Sequence, residues 1–300
     1  MKTSKKSLNF KRLRCFHAVA TEGSFTEAAL SLHVGQPSIT THIKALEADF
    51  GLELFARHGH HVELTDVGNS LLGITQRIFS LEEEAVGVLT EASGLRSGHL
   101  RIGTIGPSQV TAMIVAFGQR YPEVELSVSL GNSQDVLSGV LNFRSDIGIL
   151  PIEKIDTRLH SVPLGENRIV LLVRDDHAWA ALDEIDIRDL EGERFVLREE
   201  GSATRYAFED ALSQNKVKIR PVLAIGSREA VREAVANGLG VGIALEDETL
   251  PHERLKSLRV SGTEIVLHPH VVCLKERGNA PLIRAFLDLV AELAYGATVL

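Results

Sequence analysis

The hydrophobic periodicity of this 300-residue chain changes near residue 99, and that change constrains the fold more than any other feature. From His99 onward, short apolar runs typical of strands alternate with amphipathic helical stretches. Such alternation predicts an α/β fold with largely parallel sheets, and the length of this segment predicts two lobes. Ahead of residue 99 the apolar spacing is mostly helical. The sequence therefore predicts a helical N-terminal part followed by an α/β part.

Three amphipathic stretches begin the chain, and their ends carry typical cap residues. The first stretch ends near Gly23, and Ser24 is placed as the N-cap of the second. The third stretch, residues 35–47, begins with Gly35 as a tolerable cap and has Pro37 in its first turn, where a missing N–H costs little. This order of helix, helix, tight turn and helix predicts a helix-turn-helix motif.

The third stretch carries an unusual set of polar residues on its first turns. Ile39, Ile43 and Leu46 follow the helical period and predict its buried face. The other early positions hold hydroxyls, an amide and an imidazole, which are mediocre helix formers. In a helix-turn-helix this end enters the major groove, where such side chains bond base edges and phosphates; an ordinary solvated face is the alternative. The predicted DNA contacts here are Gln36, Pro37, Ser38, Thr40, Thr41 and Lys44.

Residues 52–65, LELFARHGHHVELT, place a strand-like stretch on each side of a glycine-containing turn. This pattern predicts a β-hairpin wing that can reach the minor groove or the DNA backbone. The histidines could instead bind a metal, but no fourth ligand stands at a zinc-type spacing, so we predict no metal site. The predicted DNA contacts of the wing are Arg57, His58 and His60, with His61 beside them.

The charge distribution separates the two parts of the chain. Residues 1–64 contain eight Lys or Arg, six Asp or Glu and six of the twelve histidines. The remaining 24 basic and 34 acidic residues lie in 65–300, so the net charge of −8 comes from the second part. A polyanion such as DNA is therefore expected to meet only the N-terminal part.

A long amphipathic helix is predicted from Thr65 to Ser93, ending at Gly94. Its apolar residues alternate spacings of three and four, which makes a narrow heptad seam. A seam this narrow indicates a partner helix, so we predict a homodimer; packing against its own N-terminal part is the alternative. Residues 94–98 are predicted to form a hinge. The seam consists of Leu71, Ile74, Ile78, Leu81, Ala85, Val88 and Ala92.

Many spaced landmarks fall within residues 16–72: Phe16, Ala18, Val19, Gly23, Ser24, Phe25, Ala28, Ala29, Gln36, Pro37, Ser38, Leu46, Glu47, Gly51, Leu54, Phe55, Arg57, Leu64, Thr65 and Gly68. Together they resemble the winged helix-turn-helix of LysR-type transcriptional regulators. The resemblance implies a two-lobed α/β effector domain, similar to periplasmic solute-binding proteins, and a linker helix that pairs two chains. The implied domains are 1–64 for DNA binding, 65–93 for the linker helix, 94–98 for the hinge and 99–300 for effector binding.

The chain departs from the LysR-type pattern at two points. Thr41 stands where the family often has Arg, and His60 or His61 replaces a usual second wing Arg. Both changes remove fixed positive charge and predict fewer phosphate contacts with double-stranded DNA. The resemblance also implies that dimers pair into homotetramers and that RNA polymerase is a further partner.

Four strand ends share glycine and hydroxyl or amide residues at the point where a helix begins. Exposed N–H groups, the helix dipole and a nearby hydroxyl together suit an anion, although one such turn alone is usually a plain N-cap. In the resembling fold these turns converge on a cleft beyond the strand ends, which favours a small anionic effector. The turns are TIGPSQ at 104–109, GNSQ at 131–134, GSATR at 201–205 and GSRE at 226–229. The predicted effector contacts are Thr104, Ser108, Asn132, Ser133, Gly201, Ser202 and Thr204.

Longer runs around these turns indicate the effector. The runs LRIGTIGPSQV, SLGNSQDVLSGVLNFRSDIGIL, VLREEGSATR and IGSREAVREAVANGLGVGIA resemble the LysR-type subgroup associated with 2-aminoethylphosphonate catabolism. The resemblance implies this phosphonate as the effector, with a small carboxylate second. Its ammonium would need a carboxylate, and Glu199 or Glu200 is nearest in sequence, although adjacent acids on a loop are usually solvated.

Other function classes fit the sequence less well. No apolar run approaches 18 residues and the basic start precedes no apolar stretch, so we expect a cytoplasmic protein without membrane contact. A solute-binding or other small-ligand-binding α/β protein without DNA function is the alternative, and a periplasmic one would need an export signal. GxSxG and HExxH are absent, and GLGVG opens a strand rather than a helix, so we predict neither an enzyme nor a cofactor. Cys15 and Cys273 lack metal-site spacing and predict reduced, buried thiols.

Overall fold

The computed structural model describes residues 8–56, 62–92, 97–249 and 252–296. The chain forms two compact units, residues 1–86 and 87–300. Across the described ranges, none of the helices combines the length and the apolar character that a membrane span needs. The predicted wing contacts Arg57, His58 and His60, together with His61, lie outside the described residues, as do residues 94–96 of the predicted hinge.

The N-terminal unit contains the predicted helix-turn-helix and hairpin. Its elements are α1 (Phe10–Glu22), α2 (Phe25–Ser31), α3 (Gln36–Phe50), β1 (Phe55–Ala56), β2 (Glu63–Leu64) and the first part of α4 (Asp66–Ala92). Gly23 ends α1 at a φ of 65°, a conformation that favours glycine. Ser24 caps α2 by accepting hydrogen bonds from two backbone amides, and Gly35 precedes α3. The predicted helix ends are therefore confirmed.

A small apolar core holds these elements together. The rings of Phe16 in α1 and Phe55 in β1 lie 5.4 Å apart, and both side chains are buried. Ile39, Ile43 and Leu46 of α3 belong to the same cluster, which confirms the predicted buried face of this helix. Because this face points inward, Pro37, Thr41 and Lys44 lie on the opposite side of α3, and the half-buried Ser38 and Thr40 flank the buried face.

One face of α4 packs against α1. Phe79 is buried there, and its ring lies 4.9 Å from the imidazole of His17. His17 Nδ1 also lies within hydrogen-bond distance of Thr75 Oγ1, at 3.0 Å. Helix α4 begins where Thr65 accepts a hydrogen bond from the Gly68 amide, which agrees with the predicted start.

The predicted heptad seam lies largely on another face of α4. Ile74, Leu81 and Val88 are 55%, 57% and 52% exposed, whereas Leu71 packs against the core of the N-terminal unit. Helix α4 therefore contacts α1 through Thr75 and Phe79, and most residues of the predicted seam take no part in that contact. The apolar row from Ile74 onward remains accessible to another molecule.

Strands and helices alternate through the second unit. Its helices are α5 (Pro107–Arg120), α6 (Ser133–Leu141), α7 (Ala203–Gln214), α8 (Arg228–Ala236) and α9 (Pro281–Gly296). Its strands are β3 (Gly98–Thr104), β4 (Val124–Leu130), β5 (Ile147–Pro151), β6 (Leu159–Pro163), β7 (Asn167–Arg174), β8 (Glu184–Asp186), β9 (Arg194–Arg198), β10 (Arg220–Ile225), β11 (Val241–Leu245), β12 (Leu255–Ser261), β13 (Val266–Leu267) and β14 (Pro269–Leu274). Short 3₁₀ helices cover Ile187–Leu190, Glu246–Glu248 and Lys275–Arg277.

Two sheets divide this unit into lobes. Lobe one contains the sheet β4-β3-β5-β14-β6 with α5, α6 and α9, and lobe two contains the sheet β10-β9-β11-β7-β12-β8 with α7 and α8. Strand β13 also pairs with β7. Phe286 and Phe208 are fully buried in the cores of lobe one and lobe two, respectively. The predicted two-lobed α/β architecture is confirmed.

Both sheets are mixed, whereas we predicted largely parallel ones. Strand β3 is parallel to β4 and β5, but β14 runs antiparallel to β5 and β6. In lobe two, β7 runs antiparallel to β11, β12 and β13. The chain passes between the lobes after β6 and again after β13. A strand whose chain comes from the other lobe is not joined to its neighbour in the sheet by a crossover helix. It can therefore run either parallel or antiparallel to that neighbour.

The two cysteines lie in different units. Cys15 is buried in the N-terminal core and Cys273 in the core of lobe one, and both are free thiols. Burial raises the pKa of Cys273 to about 11. This placement confirms the predicted reduced, buried cysteines.

Candidate DNA-binding surface and effector cleft

The first turns of α3 present a polar surface opposite the buried face. The hydroxyls of Thr40 and Thr41 donate hydrogen bonds to the carbonyl oxygens of Gln36 and Pro37, one turn earlier, at 3.2 and 2.8 Å. A hydroxyl bonded in this way still presents oxygen lone pairs to a partner, while Gln36 and Lys44 can donate. Gln36, Pro37, Thr41 and Lys44 are exposed, and Ser38 and Thr40 are half-buried.

The hairpin begins beside α3. Glu47 of α3 accepts a hydrogen bond from the Leu54 amide at 2.8 Å, which fixes the loop that leads into β1. Strands β1 and β2 then pair antiparallel, with Phe55 opposite Leu64. The paired strands match the predicted wing in kind and position, and its turn lies outside the described residues.

In the second unit, the turn before α6 meets the turn before α7 at the boundary between the lobes. Asn132 of lobe one donates from its side-chain amide to the Glu200 carbonyl oxygen of lobe two, at 3.4 Å. The Ala203 amide donates to the hydroxyl of Ser133, also at 3.4 Å. The N-terminal ends of α6 and α7 therefore face each other across the boundary.

The turns before α5 and α8 meet at the same boundary through Arg228. Its guanidinium donates to the Ile105 carbonyl oxygen of lobe one and pairs with Glu248 of lobe two, with 3.1 Å between Nε and Oε2. Burial lowers the pKa of Arg228, and the charge of Glu248 opposes that shift. A Cβ on Gly106 would lie 2.1 Å from Arg228 Nη1, so a larger residue there would force the guanidinium to move.

A cavity of about 430 Å³ opens between the lobes beside the ends of α6 and α7. A cavity of this volume suits a small organic ligand. The predicted effector contacts Ser133, Gly201 and Ser202 line the cavity. Glu153, Tyr206 and His268 add a carboxylate, a phenol and an imidazole. The cavity thus lies beside two helix N-terminal ends, whose Gln134 and Ala203 amides bind each other's turns at the Gly201 carbonyl oxygen and the Ser133 hydroxyl, and it carries one carboxylate and one imidazole.

Thr104, Asn132 and Thr204, which were also predicted as effector contacts, are not among the residues that line this cavity. Thr104 is fully buried, and its hydroxyl donates to the Gly106 carbonyl oxygen of its own turn at 3.0 Å. Thr204 is buried in the first turn of α7, and Asn132 completes a capping box at the start of α6. The side chain of Ser108 lies outside the described part of the structure. Thr104 and Asn132 therefore shape the turns that bound the cleft.

The carboxylate nearest the cavity differs from the predicted ones. Glu199 forms a two-point ion pair with Arg198, with N–O distances of 2.8 and 2.9 Å. Burial raises the pKa of Glu199, but the hydrogen bonds from Arg198 outweigh it and leave that pKa below its usual value. The neighbouring Glu200 is exposed and is not among the residues that line the cavity, whereas Glu153 lines it. Glu153 lies two residues after the end of β5, and this position could have indicated it, because ligands gather at strand ends.

Arg228 is a second residue that the sequence analysis did not single out. It stands directly after the Ser227 cap in the GSRE turn, so a search for charged residues next to the four turns would have found it.

Comparison with other proteins places these two units in a known family. Residues 10–69 match the bacterial regulatory helix-turn-helix protein, lysR family, and residues 93–294 match the LysR substrate binding domain.

The chain belongs to the LysR family. It is a DNA-binding transcriptional regulator with a ligand-binding domain. A relative along nearly the whole chain is the HTH-type transcriptional activator CmpR of Synechocystis sp., 30% identical over 293 residues, or 94% of this chain and 95% of CmpR. Another is the RuBisCO operon transcriptional regulator of Allochromatium vinosum, 30% identical over 295 residues, or 96% of this chain and 97% of that protein. Both names describe regulators rather than enzymes.

Solved LysR structures share the fold. The crystal structure of CbnR, a LysR family transcriptional regulator, superposes with a TM-score of 0.70 at 22% identity, covering 96% of this chain and 99% of CbnR. Full-length CbnR in complex with its target DNA superposes with a TM-score of 0.69 at 22% identity, covering 95% of this chain and 99% of CbnR. The regulatory domain of Synechocystis CcmR in complex with 2-PG gives 0.60 at 26% identity, covering 65% of this chain and 97% of that domain.

Proposed function

We propose that this LysR-family regulator responds to a small anionic effector that binds in the cavity between the lobes. The observation that carries the proposal is the meeting of the N-terminal ends of α6 and α7, with Ser133, Gly201 and Ser202 at the cavity wall. A bound oxyanion would replace the Gly201 carbonyl oxygen and the Ser133 hydroxyl as the acceptor for the Gln134 and Ala203 amides, without the desolvation of a buried lysine. An effector acts on DNA binding only through different affinities for two states of the protein.

The first candidate effector is 2-aminoethylphosphonate, and a small carboxylate is the second. The phosphonate oxygens would lie at the ends of α6 and α7, and the ammonium would lie at Glu153. Glu199 is a poorer partner for the ammonium because Arg198 already binds its carboxylate. The CcmR regulatory domain has been solved with 2-PG at 26% identity to this chain, so 2-PG belongs among the ligands to be tested.

Calorimetry on the full chain tests the effector proposal. The ligands are 2-aminoethylphosphonate, ethylphosphonate, a series of small carboxylates and 2-PG. We expect the aminophosphonate to bind most tightly, and we expect the double change Ser133→Ala and Ser202→Ala to weaken it at least tenfold. Glu153→Gln should weaken the aminophosphonate but leave ethylphosphonate unchanged, because only the first carries an ammonium. Binding of a carboxylate or of 2-PG without binding of either phosphonate would refute this effector.

The DNA surface in this proposal consists of the α3 residues and the wing. Hydroxyls, an amide and Lys44 on the first turns of α3 suit base edges and phosphates. The proposed contacts are Gln36, Pro37, Ser38, Thr40, Thr41, Lys44, Arg57, His58 and His60. A gel-shift assay with DNA from upstream of the protein's own gene tests this surface, and the expected result is a specific, salt-sensitive complex.

The exposed seam of α4 supports a homodimer. Ile74, Leu81 and Val88 form an apolar row that the N-terminal unit leaves uncovered, and a second copy of α4 would bury it. Dimers would pair into tetramers, and DNA-bound tetramers would contact RNA polymerase. In this arrangement residues 1–64 bind DNA, 65–93 pair the chains, 94–98 form a hinge and 99–300 bind the effector. Sedimentation of the full chain tests the oligomeric state.

A further inference from the structure

Two short crossover segments carry the chain between the lobes, and they run side by side. Residues 164–166 connect β6 to β7, and His268 connects β13 to β14. The Leu164 amide donates to the Pro269 carbonyl oxygen at 2.9 Å, which holds the two segments together. Gly165 has a φ of 103° and is exposed. Backbone segments of this kind can bend, so the relative position of the lobes depends on the contacts between their turns and side chains.

The hydrogen bonds between the lobes beside the effector cavity are long. The Gln134 amide of lobe one donates to the Gly201 carbonyl oxygen of lobe two at 3.3 Å. The Ala203 amide of lobe two donates to the Ser133 hydroxyl of lobe one at 3.4 Å. Both bonds connect neutral groups beyond the usual range of hydrogen-bond distances, and such bonds contribute little net free energy when water can replace them. These two bonds are therefore weak restraints on the lobes.

Arg228 makes a different kind of contact between the lobes. Its Nη1 donates to the Ile105 carbonyl oxygen of lobe one at 2.5 Å, and its Nε lies 3.1 Å from Glu248 Oε2 in lobe two. The side chains of Arg228 and Glu248 are only 20% and 11% exposed. A charge-assisted hydrogen bond at this depth is stronger than the long bonds beside the cavity.

Helix stability does not explain the position of Arg228. It is the first residue of α8, where the helix dipole disfavours a cation, and burial lowers its pKa. The charge of Glu248 and the Ile105 carbonyl oxygen offset these costs. The guanidinium is therefore stabilised by partners in both lobes rather than by its own helix.

The 3₁₀ helix Glu246–Glu248 connects Arg228 to a crossover segment. Glu248, its last residue, pairs with the guanidinium. Asp247 accepts a hydrogen bond from the side-chain amide of Asn167, the first residue of β7. Arg228 is thus anchored in lobe two close to the point where the chain enters that lobe.

We propose that Arg228 is a latch that holds the two lobes together before any effector binds. When the guanidinium leaves the Ile105 carbonyl oxygen, the lobes lose their charge-assisted bond and the crossover segments can bend. The protein then exchanges between a latched and an unlatched state, and an effector acts through its different affinities for the two. Arg228 is not among the residues that line the effector cavity, so the latch does not depend on the effector's identity.

Double electron–electron resonance on the full chain, without effector, measures the distance between the lobes. Ala112→Cys in α5 and Ser213→Cys in α7 place one nitroxide label on an exposed helix position of each lobe, and the two native cysteines are buried. Labelled chains are diluted with unlabelled chains before assembly, so that only distances within one chain contribute. We expect one narrow distance in the otherwise wild-type chain. Arg228→Met, which keeps a long side chain but removes the charge, should add a second population at a longer distance.

Two further variants separate the latch from other effects of losing an arginine. Gly106→Ala changes lobe one and displaces the guanidinium, so it should produce the same longer population. Combined with Arg228→Met it should add nothing, because both changes break one contact. The matched control is Arg259→Met, which removes an arginine that pairs with Glu246 inside lobe two and should keep the narrow distance.

Three results would overturn the proposal. The first is an unchanged distance in Arg228→Met, and the second is a broad distribution already present in the wild-type chain. The third is the same longer population in Arg259→Met, which would assign the effect to a general loosening of lobe two. Thermal unfolding verifies that each variant is folded. If Arg228→Met does not fold, Gly106→Ala decides, and an unchanged distance in that variant would overturn the latch.

Discussion

Arg228 of lobe two donates a hydrogen bond to the carbonyl oxygen of Ile105 in lobe one. The contact exists because Gly106, the next residue, has no side chain: a Cβ there would lie 2.1 Å from Arg228 Nη1. Arg228 also pairs with Glu248, so one guanidinium links the start of α8, the 3₁₀ helix at Glu246–Glu248 and the first turn of lobe one. This link makes Gly106 a sensitive position.

Gly106→Ala should therefore destabilise the second unit by about 1 kcal/mol, because the new methyl group displaces the half-buried guanidinium of Arg228 from its partners. Urea unfolding measures the change. The matched control is Gly118→Ala in α5, where a Cβ would meet no atom within 4 Å and the higher helix propensity of alanine should stabilise slightly. Equal stability of the two variants would show that Arg228 can move without cost.

Asp146→Asn should destabilise lobe one by about 3 kcal/mol at neutral pH, because it leaves the buried Arg277 without its carboxylate. Asp146 also accepts hydrogen bonds from Arg101, at 2.8 Å from the backbone amide and 3.1 Å from Nε. Urea unfolding at neutral pH compares the variant with wild type. The control is Asp156→Asn, which breaks an exposed pair with Arg158 and should change stability little.

The same carboxylate predicts a pH dependence. Burial alone would raise the pKa of Asp146, but the hydrogen bonds and charge of Arg101, together with Arg277, hold that pKa below its usual value. A pKa lowered by folding stabilises the protein above the unfolded value of about 4, and the stabilisation is lost as the pH falls through the folded value. The stability difference between wild type and Asp146→Asn should therefore stay constant above pH of about 5 and shrink below about 4. A difference that grows on acidification would contradict this assignment.

Gln36→Ala should weaken operator binding by about 1–3 kcal/mol if its amide contacts a base edge, and it should relax sequence preference at one position. Lys44→Ala should weaken binding to all sequences and lower the slope of affinity against salt by about one, because a phosphate contact releases one counterion. Fluorescence anisotropy across a salt series separates the two effects. Lys154→Ala, an exposed lysine of the second unit, is the control. Wild-type affinity in both α3 variants would remove α3 from the DNA surface.

Changing Ile78 and Leu81 of α4 together to Glu should leave the chain monomeric, because charges on facing seams repel and cannot be desolvated. Operator binding should then weaken by about 10²-fold or more, since two linked DNA-binding units gain effective concentration that one lacks. Analytical ultracentrifugation measures the first effect and gel shift the second. Leu182→Glu, an exposed apolar residue of lobe two, should leave the oligomer unchanged. An intact dimer in the seam variant would assign the seam to internal packing.

The sequence alone was sufficient to predict the helices and the hairpin of the N-terminal unit and the alternation of strands and helices in the second unit. The ends of α1, α2 and α3 depend on Gly23, Ser24 and Gly35, and each of these caps acts on backbone groups within a few residues. Helix α4 was predicted at 65–93 and runs over Asp66–Ala92, because a long apolar period is a strong local signal. The alternation of strands and helices likewise predicted a two-lobed α/β unit.

Only the tertiary structure decided how distant segments meet. Strand direction depends on where the chain crosses between the lobes, so the antiparallel placement of β7 and β14 left no trace in local periodicity. Ser133 and Ala203 are 70 positions apart, and Arg228 and Ile105 are 123 apart. A helix cap is set by neighbours within one turn, whereas a site is set by pairing across the whole chain. For that reason the sequence indicated Ser133, Gly201 and Ser202 at their turns, but only the folded lobes showed that Glu153 joins them and that Thr104 is buried away from the cavity.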